Sequence, residues 1–109
     1  MPRITINFDT DIDFLKIKDA ATPHHLAICC RILPNGKKDG GEYVALNPLR
    51  NDNQLGSFRI NLETGRWADF ACSEDENAKG GDIISLISYL YEINQFEAAH
   101  VIARMIGVK

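Results

Sequence analysis

Two groups of residues in this 109-residue sequence have the types and spacing to bind something. The first is Arg59, Arg66 and Trp67, with Tyr43 and Arg50 nearby, which interleaves cationic groups with aromatic rings. Single-stranded nucleic acid uses that pairing, guanidinium groups meeting phosphates while bases stack on rings. Trp67 and Phe58 equally suit a core, so the sequence leaves stacking and packing open for them. The second group is the acidic run Glu74, Asp75 and Glu76, which suits docking against a basic protein surface.

Other chemistry finds less support. His24-His25 and Cys29-Cys30 are soft ligands without a metal-ligand spacing, and on a strand the two cysteines point to opposite faces. No pair of carboxylates implies convergent acid and base groups, and no Ser, His and Asp arrangement can be read, so the expectation is a protein that is not an enzyme. Gly80-Gly81-Asp82 could open a phosphate-binding helix N-terminus, but Asp82 places a carboxylate where the anion would sit. A tight turn into an N-cap is the expected role.

A chain of 109 residues with 45% hydrophobic content suits one globular domain. The net charge of −3 argues against a generally cationic binder. Its distribution is uneven: residues 31–66 carry six cations against four anions, and residues 67–82 five anions against one cation. Three cysteines, two of them adjacent, do not make a disulfide framework. Apolar stretches are too short for a membrane span, so a cytoplasmic location is expected.

Residues 3–8 alternate Ile4, Ile6 and Phe8 with polar positions, the period of an edge strand. Residues 9–21 predict a short helix capped by Thr10 or Asp11 and closed by Pro23. Residues 26–33 are apolar apart from Arg31 and predict a buried strand, and residues 37–41 a polar loop with a mobile tip. Residues 42–46 read as a strand. Phe58, Ile60 and Leu62 alternate with polar residues and lead through Glu63-Thr64-Gly65 into a hairpin with residues 66–71, whose register stays open between two- and three-residue loops. Residues 72–79 read as an exposed acidic loop. Asp82 caps a helix with the stripe Ile83, Leu86, Ile87 and Leu90, and Asn94 with Glu97 forms a capping box for a last helix stopped by Gly107. The pattern is that of an α+β domain with helices on one side of a small antiparallel sheet.

Residues 42–107 resemble the zinc-binding domain of bacterial and phage DNA primases, most strongly in Gly-Ser-Phe-Arg-Ile-Asn (56–61), Gly-Arg-Trp-Ala-Asp-Phe (65–70) and Gly-Gly-Asp-Ile-Ile-Ser-Leu (80–86). Residues 1–41 fall outside the resemblance, as an N-terminal strand, helix and strand extension of a single 1–109 domain. The family implies a zinc-ribbon-like sheet with a C-terminal helical hairpin packed on one side. It holds zinc with a Cys-Pro-x-His and a Cys-Phe-x-Cys pair, which here read Asn47-Pro48-Leu49-Arg50 and Asp69-Phe70-Ala71-Cys72. Asparagine is a poor zinc ligand and arginine none, so the resemblance is to a degenerate form, as at the front of phage and plasmid primase-helicases, with no metal or other cofactor. An ion pair between Arg50 and Asp69 is expected in the ion's place.

The resemblance implies a non-enzymatic DNA-binding accessory module of replication, from a phage or mobile element. It would contact single-stranded or primer-template DNA through Arg50, Arg59, Arg66, Trp67 and Tyr43, beside a replication helicase, primase or other nucleic-acid-handling protein. The alternative is a protein-interaction module or inhibitor from such an element, docking a basic surface through Glu74, Asp75 and Glu76. Phosphate binding weakens steeply with salt, which separates the two.

Overall fold

The computed structural model describes residues 13–49, 56–69 and 80–107. The predicted strand at residues 3–8 and the acidic loop at 72–79 lie outside them. Helix α1 (Phe14–Ala21) is capped by Asp13, whose Oδ1 accepts from Lys16 N at 3.1 Å, so the cap is Asp13 and not Thr10 or Asp11. The chain then runs through a 3-10 turn at Thr22–His24 into a second helix, α2 (His25–Ile32). Residues 26–32 therefore lie in a helix, with Leu33 as its C-cap, and not in the expected strand. His25, Ile28, Cys29 and Leu33 are buried at near-helical spacing, while Leu26, Ala27 and Cys30 are exposed. Exposed apolar residues had hidden the helical period.

Five antiparallel strands follow in chain order: β1 (Lys37–Asp39), β2 (Glu42–Ala45), β3 (Phe58–Asn61), β4 (Trp67–Asp69) and β5 (Gly80–Gly81). β1 replaces the expected loop at residues 37–41; it pairs with β2 through a turn at Gly40 and Gly41, where Gly40 takes a positive φ of 63°. The β3–β4 register, open in the sequence, is set by Phe58 opposite Asp69, Arg59 opposite Ala68 and Ile60 opposite Trp67. Its turn is built by Asn61, whose Oδ1 accepts from Glu63 N at 2.8 Å and Thr64 N at 2.9 Å. Such an Asx turn fixes the loop length and hence the strand pairing.

The Gly-Gly pair is an edge strand rather than a turn. A Cβ on Gly80 would stand 2.1 Å from the carbonyl oxygen of Trp67, and Gly80 has φ 145°, so only glycine lets β5 lie this close to β4. Asp82 then caps α3 (Ile83–Tyr91) by accepting from Ser85 N at 2.8 Å. The capping box of Asn94 and Glu97 opens α4 (Gln95–Ile106), and Gly107 ends it in a left-handed conformation, both as the sequence predicts. α3 and α4 form a helical hairpin with α1 packed against α4. The architecture is the expected α+β one. Phe58, Ile60 and Trp67 from the sheet meet Ile83, Leu86, Ile87, Ala99 and Ile102 from the helices in one core.

Candidate nucleic-acid interface

Strand alternation decides which candidate residues share a surface. Tyr43 lies opposite Ile60, and Ile60 opposite Trp67, so all three face the helices. Trp67 is 4% exposed; its ring stacks on Tyr89 with centroids 5.0 Å apart, and its Nε1 donates to Ser85 Oγ at 2.9 Å. Tyr43 is 2% exposed, and its hydroxyl donates to Leu33 O at 2.5 Å. The two rings expected to stack on bases are core residues, satisfied internally. The open choice for Trp67 and Phe58 resolves to packing.

The cations sit on the opposite face. Arg59 alternates with Phe58 and Ile60, and Arg66 is brought opposite Asn61 by the bond from Asn61 N to Arg66 O at 2.7 Å. Both line one shallow cleft with Glu42, Asn61 and Gly80. Arg66 is exposed. Arg59 is committed: Nη1 donates to Glu42 Oε1 at 2.8 Å and lies 3.7 Å from Asp39 Oδ2, while Nε donates to Gly56 O at 2.8 Å. Two carboxylates beside one guanidinium leave little positive potential there, so a phosphate on Arg59 must compete with them. Arg50, Glu74, Asp75 and Glu76 lie outside the described residues.

A second polar group is buried at the other end of β4. Asn47 is 1% exposed and Asp69 3%. Asn47 Nδ2 donates to Asp69 Oδ2 at 2.7 Å and to Tyr89 OH at 2.8 Å, and Asn47 Oδ1 accepts from Leu49 N at 2.9 Å.

No family model and no curated protein matches the sequence. Among solved structures, the chain is similar to the Aquifex aeolicus primase, in a crystal structure of its zinc-binding and RNA polymerase domains. The two superpose with a TM-score of 0.70 at 25% identity, over 88% of this chain and 22% of that one. The fold is similar to that of a primase zinc-binding domain. The match covers more than residues 42–109 could supply, so the primase-like fold reaches into the first 41 residues, where the sequence showed no resemblance. Those residues include α1, whose contacts with α4 make it part of the same body.

In the sequence resemblance, Asn47 and Asp69 are the residues read at the first position of each ligand pair. The sequence pointed to Arg50 as a partner of Asp69; that pairing lies outside the described residues, and among them Asp69 accepts from Asn47. Tyr89 was missed, and Asn47 was read only as a residue that cannot hold zinc, because a tyrosine on a helix and an asparagine in a loop signal no particular partner by themselves. The one signal was for Asn47, through the place the resemblance gives it in the Asn-Pro-Leu-Arg segment. Elsewhere, His25 Nδ1 donates to Leu62 O at 2.8 Å, tying α2 to the β3–β4 turn. Burial, with a smaller contribution from Cys30, pushes the Cys29 thiol up to about 12. Among the described residues, no group of three or more His, Cys, Asp or Glu side chains comes together to hold a metal. No described helix is long and apolar enough to cross a membrane.

Proposed function

We propose that the chain is a non-enzymatic accessory module of replication that contacts single-stranded or primer-template DNA with the outer face of its sheet. The observation that carries this reading is the placement of Arg66 and Arg59 together on that face, away from the helices, in a fold similar to that of a primase domain. Since Tyr43 and Trp67 are buried, the contact is to phosphate and carries little base preference. Arg66, exposed, makes the first contact, and Arg59 contributes as far as phosphate displaces Glu42 and Asp39. Binding is accordingly weak and salt-sensitive.

Fluorescence anisotropy with a labelled single-stranded oligonucleotide, at low and physiological salt, tests the reading alongside the Arg59→Ala/Arg66→Ala variant. Salt-sensitive binding lost in the variant is expected. Absence of binding at low salt overturns the proposal and redirects the search to a basic protein partner for the acidic run at Glu74, Asp75 and Glu76.

A further inference from the structure

We infer that Asn47, through its bonds to Asp69 and Tyr89, performs the cross-linking that a metal ion would perform at this point of the fold, and that the domain folds without metal. This inference does not rest on the nucleic-acid reading.

The donor set does not fit zinc. Ligands at about 2.0–2.3 Å from a tetrahedral ion stand roughly 3.3–3.8 Å from one another. Asn47 Nδ2 and Asp69 Oδ2 are 2.7 Å apart, a hydrogen-bond distance with no room for an ion shared between them. The group that Asn47 turns toward Asp69 is an amide N–H, which offers no lone pair. Its orientation is settled by both neighbours: turning the amide over would set its oxygen against the Asp69 carboxylate and its N–H group against the N–H of Leu49.

The same geometry makes an effective cross-link. Asn47 stands in the loop after β2, Asp69 ends β4 and Tyr89 is on α3, so one amide group joins three elements. Its two N–H groups have separate acceptors, and its oxygen holds the loop backbone at Leu49. Because Asn47 and Asp69 are almost completely buried, water does not readily replace the hydrogen bond between them once it is lost. Trp67 strengthens the junction from the β4 side by stacking on the Tyr89 ring. A link made by an amide does not respond to chelators, and it contains no thiolate to oxidise.

The test combines metal content by plasma mass spectrometry with thermal melting of the full chain, with and without a strong zinc chelator, for the wild type, Asn47→Ala and Tyr89→Phe. Expected are no stoichiometric zinc, the same Tm with and without chelator, a Tm lower by about 4–8 °C in Tyr89→Phe, and a larger drop in Asn47→Ala. Should Asn47→Ala fail to fold, Tyr89→Phe still reads the junction. Stoichiometric zinc, or a Tm that falls with chelator, overturns the inference. So does wild-type melting of both variants.

Discussion

The two faces of the sheet are made by the same strands and do opposite things. On the inner face Tyr43, Ala45, Phe58, Ile60 and Trp67 are all buried at 4% exposure or less and meet the helices. On the outer face Val44, opposite Arg59, is buried, but Glu42, Arg59, Asn61 and Arg66 keep contact with solvent. In sequence, Arg66 and Trp67 are neighbours and read as one cationic-aromatic site; in space the pleat sends them to opposite sides. Adjacency along a strand therefore argues against a shared surface, and a binding site on a sheet is better sought at every second residue.

The comparison breaks most sharply at the inner face. Phe58 is fully buried and meets Trp67 edge to face at 5.8 Å, so Phe58→Ala is expected to lose about 3–5 kcal/mol of stability in denaturant unfolding. A loss below about 1 kcal/mol would mean that this face is not the core. On the outer face Arg66→Ala should leave unfolding unchanged while costing about 1 kcal/mol of oligonucleotide affinity, roughly fivefold. It should also reduce the slope of log K against log salt by about 0.7. A smaller and opposite effect is expected from Glu42→Gln, which removes the closest carboxylate on Arg59. Affinity at low salt should rise about two- to threefold, as expected when a repelling charge at the surface is removed, and unchanged or weaker binding would show that Arg59 is not available to phosphate.

Helix α2 repeats the contrast on a smaller scale, with Cys29 buried and its neighbour Cys30 exposed. The Cys29 thiol, raised from an ordinary 9.0 to about 12 by burial, stays protonated in the folded chain where the unfolded chain would ionise. Its contribution to stability is complete below pH 9 and is lost as pH rises from 9 toward 12. Melting between pH 8 and 10.5 should fall less steeply in Cys29→Ala than in the wild type. Peptide mapping after alkylation at pH 8 should find Cys30 modified and Cys29 protected.

The legible parts of the fold were those where local chemistry and packing agree. Asp82, the Asn94 and Glu97 box and Gly107 mark helix ends by backbone hydrogen bonding and positive φ, which depend on nearby residues alone. Residues 26–33 misled because Leu26, Ala27 and Cys30 are apolar yet exposed, leaving Arg31 as the lone polar residue on the outward side of the helix. β1 was invisible for the reverse reason: Lys37, Lys38 and Asp39 form an exposed edge strand held by backbone pairing, which leaves no hydrophobic alternation. At the candidate interface, the arginines could be named from sequence, but the burial of Tyr43 and Trp67 depended on a register that the sequence did not determine. The bond from Asn47 to Asp69 joins residues 22 apart and is a tertiary fact, with only the positions of the two residues in the resemblance to suggest it.

The strands lie in the sheet in the order in which they occur in the chain, each beside its sequence neighbour. Such a meander can grow one strand at a time, each addition closing only the loop to the strand just laid down, so no pairing has to wait for a distant part of the chain. Assembly can proceed in step with synthesis from β1 onward, and β5, two glycines wide and continuous with the helical hairpin, comes last.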